Sequence, residues 1–194
     1  MYTKFVKRFL DLILSLLAAF LLSWILLILA LLIRLTSKGP VFFRQRRIGI
    51  HKREFYILKF RTMRIDTPKD VPTHMLKNPG QYITAVGKFL RLTSLDELPQ
   101  LFNIIMGQMS VVGPRPALWN QYDLIAEREK YGANSIRPGL TGWAQVNGRD
   151  ELPIPVKAKL DGEYIQRMGF LFDIKCIIKT IGTVFRRDGI KEGT

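Results

Sequence analysis

Two adjacent acids, Asp96 and Glu97, and a nearby arginine are the residues of this chain best suited to chemistry. They lie in the segment TSLDELPQLFNIIMGQMSVVGPRP, residues 93–116, which ends in the loop Gly113-Pro114-Arg115-Pro116. The two prolines stiffen this loop because each one fixes its own φ. The loop also presents one guanidinium, a group that binds phosphate well. An acid pair followed by a rigid arginine loop predicts a centre that handles phosphate.

The acid pair also has a purely structural explanation. Ser94-Leu95-Asp96-Glu97 matches the S-x-x-E capping box, in which the Ser and Glu side chains bind free backbone N–H groups at a helix start. Pro99 complicates this explanation, since it would be the fifth helical residue, where a backbone hydrogen bond is normally made. A helix that starts at Asp96 places Pro99 in the tolerant first turn instead. In both cases the carboxylates lie at the positive end of the helix dipole, which favours ionised acids and attracts phosphate.

Phosphate chemistry would use two neighbouring acids for different tasks. One carboxylate can attack phosphorus and form an acyl phosphate, which divides a difficult transfer into two steps. The second can bind Mg²⁺, which neutralises phosphate oxygens so that two anions can approach each other. Arginines then stabilise the charge on the transferring group. Because adjacent carboxylates raise each other's pKa unless a cation compensates, this interpretation requires basic residues nearby.

The composition supplies such cations in excess. The 194 residues contain 30 Lys and Arg against 16 Asp and Glu, a net charge of +14. This charge implies an anionic partner: a phosphorylated substrate, an anionic membrane surface or nucleic acid. The one cysteine, Cys176, excludes an internal disulfide and suits a reducing compartment. The two histidines, His51 and His74, do not have metal-ligand spacing, so the sequence does not predict a zinc site.

The N-terminal segment predicts a membrane anchor. Residues 12–33 carry no charge over 22 positions, and about 20 apolar residues suffice for a helix to cross a bilayer. The segment is too long for the apolar part of a signal peptide, and no small-residue cleavage site follows it. Basic residues flank it on both sides and favour the cytoplasm, so we expect a helix that enters the membrane and returns. Asp11, a costly charge at the membrane edge, is expected to pair with Lys7 or Arg8 one turn earlier.

A short sheet and a helix are expected between the anchor and the acid pair. Residues 41–44 and 54–61 are rich in aromatic and β-branched residues and predict a β-hairpin. Lys59, on its second strand, is either a lysine that extends to solvent at a sheet edge or a phosphate contact. Residues 83–91 predict a short amphipathic helix. Its last residue, Arg91, either faces the acid pair or decorates the helix end.

Two further basic residues follow in a glycine-rich segment. After a polar helix predicted over residues 117–130, the segment IRPGLTGWAQVNGRD, residues 136–150, carries repeated turn signals. Arg137 and Arg149 lie on this framework. Glycine-rich loops beside fixed arginines can cradle phosphate, although most such loops are plain turns.

The segment FLFDIKCIIKTIGTVFRR, residues 170–187, predicts a basic amphipathic helix. Its apolar residues recur at intervals of three and four: Ile174, Ile177, Ile178, Ile181, Val184 and Phe185. Its cations lie off that face: Lys175, Lys179, Arg186 and Arg187. Such a helix either packs on a core or lies in the membrane interface, and here the two alternatives are equally favoured. Cys176 is expected to be a small buried hydrophobe.

Together and in this order, these segments resemble the small monotopic bacterial sugar transferases, the polyprenol-phosphate phosphoglycosyl transferases. The resemblance covers nearly the whole chain and rests on the apolar anchor, YILKFRTM, SLDELPQLFN, MSVVGPRP, RPGLTGWAQVNGR and the basic C-terminal helix. It implies an α/β fold of the α+β type, with a membrane anchor over residues 1–36. The catalytic domain, residues 37–194, would contain a small β-hairpin and several amphipathic interfacial helices around one catalytic core.

The resemblance also implies an activity. Members of this family move a sugar 1-phosphate from a UDP-sugar to undecaprenyl phosphate at the cytoplasmic face of the bacterial inner membrane, and they release UMP. By position, Asp96 would be the nucleophile that forms a covalent phosphosugar, and Glu97 would bind Mg²⁺. The residues at the family's basic and phosphate-binding positions are Lys59, Arg91, Pro114, Arg115 and Arg149, with Arg137 a weaker candidate. The implied partners are the UDP-sugar, undecaprenyl phosphate, anionic membrane lipid and downstream glycosyltransferases, and no nucleic acid.

One position departs from the family pattern. The family usually breaks its anchor helix at Ser-Pro, and here the pair is Ser23-Trp24, so the kink lacks its usual cause. The basic flanks still predict a re-entrant anchor. Two rival functions stay open. One is a membrane-tethered glycosyltransferase that passes on only the sugar and releases UDP. The other is a basic membrane protein without enzymatic activity, which explains the charge but neither the acid pair nor the arginine loop.

Overall fold

Two consecutive helices form the N-terminal part of the computed structural model, which describes residues 2–67, 79–148 and 152–186. Helix α1 spans Lys7–Leu21 and α2 spans Ser23–Thr36. The pair is bent by 61° across Leu22, whose φ of −94° and ψ of 4° lie outside the helical region. The bend is therefore present without a proline. Within the described ranges no single helix combines the length and hydrophobicity to cross a membrane, and only this bent pair does so as a unit.

Helix α1 buries polar side chains and exposes apolar ones. Lys7, Asp11 and Ser15 are the residues buried along it, and their spacing of four places them on one face. The outward side of the bent pair carries large apolar residues: Phe9, Ile13, Leu16, Leu17 and Phe20 on α1, and Trp24, Leu27, Leu31 and Leu35 on α2. An exposed apolar surface of this extent is typical of a face that contacts lipid or a partner.

The predicted hairpin is confirmed. Strand β1 spans Phe42–Ile48, longer than expected, and pairs antiparallel with β2 at Glu54–Phe60. Phe43 lies opposite Lys59 in this register. Because side chains alternate along a strand, Lys59 points to the same face as the buried Phe55 and Ile57. The Lys59 side chain is therefore directed into the protein and does not extend to solvent at the sheet edge.

The segment after the hairpin contains two helices and a small second sheet. Helix α3 spans Ala85–Thr93, two residues later than predicted, because the Thr84 hydroxyl caps it by accepting from the Gly87 N–H. Helix α4 spans Gln100–Ile105, and β3 at Ser110–Val112 pairs parallel with β4 at Gly139–Thr141. The sequence did not predict this sheet, because each of its strands is only three residues long.

Three helices complete the described chain. Helix α5 spans Tyr122–Glu129 and is shorter than the predicted 117–130. Helix α6 spans Ile154–Arg167 and was not predicted from the sequence. Helix α7 spans Phe170–Arg186, which confirms the predicted C-terminal helix.

Helix α7 packs with a different face from the one its apolar pattern indicated. Phe172, Asp173 and Cys176 are buried, so the expected burial of the cysteine is confirmed. Three isoleucines of the predicted stripe are instead exposed: Ile174 by 37%, Ile178 by 63% and Ile181 by 54%. The structure does not describe the side chains of two further stripe residues, Val184 and Phe185. Ile177 packs against the core, so the predicted stripe is divided. Its three exposed isoleucines are available to another surface, as expected for a helix at a membrane interface.

The polar residues of α1 attach the bent helix pair to the rest of the fold, and the predicted pairing of Asp11 with Lys7 or Arg8 is wrong. Asp11 accepts from the backbone N–H of Val111 at 3.0 Å, while Lys7 donates to Asp173 at 2.7 Å. Arg8 donates to two backbone carbonyls at the end of α4. The prediction considered only neighbours one helical turn away, whereas these side chains bind elements about 100 residues or more away in the sequence.

Candidate active site

The acid pair lies on a short 3₁₀ turn, Leu95–Glu97, between α3 and α4. Both helix starts considered from the sequence are wrong. Ser94 adopts the left-handed conformation, with a φ of 56°, and ends α3 instead of capping α4. Pro99 lies immediately before α4, where its missing N–H costs nothing. Because α4 has only six residues, its dipole is a weak reason for anions to gather here.

Glu97 is held by two cations on a single oxygen. Lys59 Nζ donates to Oε1 at 2.7 Å, and Arg115 Nη2 donates to the same atom at 3.0 Å. The Glu97 side chain is 20% exposed. Burial alone would raise the pKa of Glu97, but Arg115 and Lys59 together outweigh burial and leave that pKa far below its ordinary value. Glu97 is therefore a permanent anion at neutral pH.

Asp96 is affected in the opposite direction. Burial raises the pKa of Asp96 above its ordinary value, and the neighbouring charge of Glu97 adds to the rise. The cations Lys59, Arg91 and Arg115 oppose this increase without cancelling it. Two adjacent carboxylates thus have pKa values that are driven apart, a pattern that separates chemical roles in active sites. An ionised Asp96 that is poorly solvated is also a more reactive nucleophile than a surface aspartate.

Arg91 reaches the site from the last turn of α3. Its Nε donates to the hydroxyl of Thr62 at 2.9 Å. The carbonyl of Thr62 accepts from the Thr84 N–H at 3.0 Å, and a side chain at Gly87 would overlap that carbonyl. The close approach at Gly87 therefore fixes α3 against the end of the hairpin, and the Thr62 hydroxyl aims the guanidinium. The charge of Arg91 lowers the pKa of Asp96, which favours the alternative in which Arg91 faces the acid pair. Its role as a substrate contact stays a prediction.

The loop that carries Arg115 is bound from both sides. The Pro114 carbonyl accepts from the Gly139 N–H at 2.9 Å, and the Gly113 N–H donates to Thr141 at 2.8 Å. On the other side, Arg47 Nη1 donates to the Pro116 carbonyl at 3.0 Å. Pro114 contributes to the site through its fixed φ and its carbonyl, because it has no N–H. The hairpin thus positions both cations that bind Glu97: Lys59 directly and Arg115 through Arg47.

The other predicted basic residues are not brought to the acid pair by any described contact. Arg137 donates from Nε to the Gly107 carbonyl at 2.8 Å, beyond the far end of α4. Its assignment as a substrate contact stays a prediction. Arg149 lies outside the described residues.

Sequence reasoning missed two residues that organise the site. Arg47 binds the loop end, and Asn103 joins β2 to α4. The Asn103 Oδ1 accepts from the Leu58 N–H at 2.9 Å, and its Nδ2 donates to the Tyr56 carbonyl at 2.8 Å. A polar Asn within LPQLFNII, where neighbouring residues are apolar, was a signal for a buried hydrogen-bonding role. Arg47 is one of three arginines in β1, and nothing in the sequence distinguishes it from the other two.

The acid pair is chemically suited to Mg²⁺. Among the described residues, no group of three or more His, Cys, Asp or Glu could enclose a metal ion. Mg²⁺ rarely needs such an enclosure, because it is commonly bound through one or two carboxylates and the phosphates of a substrate. Two adjacent carboxylates with nearby phosphate-binding cations fit that mode. Glu97 has its second oxygen, Oε2, without a hydrogen bond from any described residue.

Comparison with known proteins identifies the family. A family model described as bacterial sugar transferase matches residues 2–187. The chain belongs to the bacterial sugar transferase family. The resemblance found in the sequence is therefore confirmed over nearly its whole length.

Relatives within the family differ in length from this chain. The UDP-glucose:undecaprenyl-phosphate glucose-1-phosphate transferase of Xanthomonas campestris pv. campestris is 40% identical over 186 residues, which cover 92% of this chain and 38% of that protein. The "Uncharacterized sugar transferase EpsL" of Bacillus subtilis is 36% identical, with 96% and 90% covered. The UDP-N-acetylgalactosamine-undecaprenyl-phosphate N-acetylgalactosaminephosphotransferase of Aeromonas hydrophila is 35% identical, with 96% and 45% covered. The chain thus spans less than half of two of these relatives and most of the third.

Proposed function

We propose that this protein is a phosphoglycosyl transferase that moves a sugar 1-phosphate from a UDP-sugar to undecaprenyl phosphate and releases UMP. The observation that carries the proposal is the convergence of Lys59 and Arg115 on Glu97, at 2.7 and 3.0 Å from Oε1, directly beside Asp96. The names of the relatives from Xanthomonas and Aeromonas, which both specify a sugar-phosphate transferase acting with undecaprenyl phosphate, support the same reaction.

The reaction proceeds in two displacements at one phosphorus atom. The Asp96 carboxylate attacks the β-phosphorus of the UDP-sugar, the bond between that phosphorus and the bridging oxygen breaks, and UMP leaves with the electron pair. A phosphate oxygen of undecaprenyl phosphate then attacks the same phosphorus and displaces Asp96. The product is undecaprenyl-diphosphate-sugar, and the aspartate is regenerated. Dividing the transfer in this way lets one carboxylate serve two anionic substrates in turn.

The surrounding cations make the approach of anions feasible. Lys59, Arg91 and Arg115 lie close enough to change the pKa of Asp96, so they also act on a phosphate bound beside it. Preorganised cations of this kind stabilise charge that develops as the phosphoryl group is transferred. Glu97 and the substrate phosphates would hold Mg²⁺, which when bound neutralises phosphate oxygens. Lys59 and Arg115 orient Glu97 for this task by binding its other oxygen.

The bent helix pair supplies access to a lipid substrate. Its outward apolar side chains would lie in the cytoplasmic leaflet of the bacterial inner membrane, with both ends of the pair on the cytoplasmic side. The contacts of Lys7, Arg8 and Asp11 with the core then keep the site at the membrane surface. We extend the proposal to anionic membrane lipid and to downstream glycosyltransferases that receive the product.

The identity of the released nucleotide tests the proposal. The purified chain is incubated with Mg²⁺, undecaprenyl phosphate and each of a panel of UDP-sugars, and the nucleotide product is identified. UMP is expected with at least one UDP-sugar, whereas UDP would indicate the rival glycosyltransferase. Salt-sensitive DNA binding with no nucleotide release from any UDP-sugar would favour the non-enzymatic alternative.

A second experiment tests the nucleophile. Asp96→Asn should abolish UMP release and the phosphosugar adduct measured by intact mass with UDP-sugar alone. Asp123→Asn, a matched change at an exposed residue of α5, should leave both intact. Turnover that persists in Asp96→Asn would remove Asp96 as the nucleophile.

A further inference from the structure

Three cations converge on one indole ring where α6 meets α7. The Lys179 Nζ, the Lys175 Nζ and the Arg167 Cζ lie 4.7, 5.5 and 5.8 Å from the centre of the Trp143 ring. Arg167 also lies 4.4 Å from the centre of the Phe172 ring. Trp143 and Phe172 are buried, whereas all three cations are exposed. The aromatic pair therefore forms a platform that holds positive charge at the surface.

This cluster has more positive charge than the neighbouring acids neutralise. Glu163 accepts from the indole N–H of Trp143 at 3.1 Å, and Asp173 is bound by Lys7 and the Tyr164 hydroxyl. In the described part of the chain, none of the three cations forms an ion pair with a carboxylate. Like charges gathered this closely repel one another unless an anion lies between them. The cluster is thus complementary to an anionic group.

Exposed apolar residues adjoin the cations. A shallow, open depression beside them is lined by Arg167, Gly169, Phe170, Leu171, Phe172 and Lys175. Leu171 is 81% exposed and Phe170 is 52% exposed. The same helix continues with the exposed Ile174, Ile178 and Ile181. A soluble anion would leave these side chains in water, whereas a lipid would cover them and present a phosphate to the cations.

We propose that the junction of α6 and α7 binds the phosphate of an anionic membrane phospholipid, with Arg167 and Lys175 as its principal ligands. Lys179 adds a third charge, and Phe170 and Leu171 enter the acyl region beside the bound headgroup. The inference rests on the proposed function only in that both place the chain at a membrane. It gives the anionic lipid a defined site, separate from the cations that contact Glu97.

Lipid binding to the full chain in a mild detergent tests the site by native mass spectrometry. Dioleoyl-phosphatidylglycerol and dioleoyl-phosphatidylcholine are titrated separately, without nucleotide, and adducts per chain are counted. One phosphatidylglycerol should bind with about tenfold or greater preference over phosphatidylcholine. The double variant Arg167→Gln/Lys175→Gln should weaken phosphatidylglycerol binding by about thirtyfold, since each surface cation near an anionic lipid contributes about 1 kcal/mol.

Two further variants separate charge from folding. Arg53→Gln/Lys130→Gln removes one exposed arginine and one exposed lysine elsewhere and should bind phosphatidylglycerol as the unmodified chain does. Arg167→Lys/Lys175→Arg keeps both charges and should retain binding. The proposal is overturned if the unmodified chain binds both lipids equally, if the Gln pair retains binding, or if the charge-preserving pair loses it as well.

The substrate lipid is distinguished by kinetics. The KM for undecaprenyl phosphate should be unchanged in Arg167→Gln/Lys175→Gln, and a rise that matches the loss of phosphatidylglycerol binding would assign the site to the substrate and overturn the proposal. Asp96→Asn should bind phosphatidylglycerol normally. If the transferase assay fails, the lipid titration can therefore still be interpreted. If lipid binding fails, the transferase assay can likewise still be interpreted.

Discussion

Lys59 donates to Glu97 across 2.7 Å, from Nζ to Oε1, and so joins the β-hairpin to the turn that carries the acid pair. The contact stabilises the ionised form of Glu97, while Asp96 beside it is partly buried and has a raised pKa. Asp96 and Glu97, which are adjacent in the sequence, thus differ in pKa, and a contact from Lys59, 38 residues before Glu97, contributes to the difference. The division of labour in the proposed mechanism depends on this inequality.

Replacing Lys59 should move the acid limb of the activity profile to higher pH. Lys59 lowers the pKa of both Glu97 and Asp96, so both values rise in Lys59→Gln and each acid is protonated at a higher pH than before. The rate at neutral pH should fall about a hundredfold, the scale of losing one preorganised donor to a developing charge. UMP release measured from pH 4 to pH 8 checks both effects.

Lys52→Gln, on the same hairpin, is the control for that change. Lys52 lies in the turn after β1 and makes an exposed ion pair with Glu129 at 3.3 Å. Its loss should leave both the rate and the acid limb in place. If the acid limb of the pH profile is unchanged in Lys59→Gln, Lys59 does not lower the pKa of Asp96 and Glu97 as proposed.

The stabilising contribution of Glu97 should disappear at low pH. Its folded-state pKa lies below the ordinary value of 4.5, so the unfolded chain binds the proton first. The contribution is therefore complete above pH 4.5 and is lost as the pH falls from there toward the folded-state value. The difference in free energy of unfolding between the unmodified chain and Glu97→Gln should shrink from pH 6.5 to pH 4, as measured by urea unfolding in detergent. A difference that stays constant over this interval would show that Glu97 is not held as an anion by its two cations.

The sequence predicts local features of this protein better than long-range ones. The hairpin and the C-terminal helix follow from residue types and periodicity within short windows, and both are present. The β3–β4 sheet joins three-residue strands about 29 residues apart, as Ser110 opposite Gly139 illustrates, and no short window contains that pairing. The partner of Asp11 was missed for the same reason. The acid pair could be found from the sequence because its two residues are adjacent. The role of Arg47 could not, because it depends on a contact with Pro116, which is 69 residues away in the sequence.

Lys7 and Asp173 should show strong energetic coupling. Their contact, 2.7 Å from Nζ to Oδ2, is buried and links α1 to α7. Lys7→Met leaves the Asp173 carboxylate in a buried site without its cation, and we expect a loss of about 3 kcal/mol in the free energy of unfolding. Lys7→Met/Asp173→Asn removes both charges and should recover a substantial part of that loss. Urea unfolding of the single and double variants in detergent gives the coupling directly.

An exposed pair serves as the comparison for that cycle. Lys130, directly after α5, contacts Glu127 at 2.6 Å at the surface, and Lys130→Met should destabilise the fold far less than Lys7→Met does. Equal losses from Lys7→Met and Lys130→Met would mean that burial adds nothing to the contact between α1 and α7.

The bend at Leu22 makes a specific prediction for the position after it. Trp24 is the second residue of α2 and is 61% exposed. The first helical turn tolerates proline because its N–H groups lack intrahelical partners, so Trp24→Pro should change the free energy of unfolding by less than about 1 kcal/mol. It also restores the Ser-Pro pair usual in the family. Leu31→Pro, at a similarly exposed position in the interior of α2, should cost about 3 kcal/mol or more.

The unmodified chain and Trp24→Pro together test whether the bend is re-entrant. A single cysteine placed at the N-terminus in a Cys176→Ser background is labelled in intact cells with a membrane-impermeant maleimide, and again after lysis. If both ends of the bent pair face the cytoplasm, the unmodified anchor and Trp24→Pro should be protected until lysis. Labelling of the unmodified anchor in intact cells would place its N-terminus outside and reduce the bend to a kink in a spanning segment. If the N-terminal cysteine is protected in the unmodified chain but labelled in intact cells in Trp24→Pro, the bend at Leu22 differs from the one that a proline at position 24 produces.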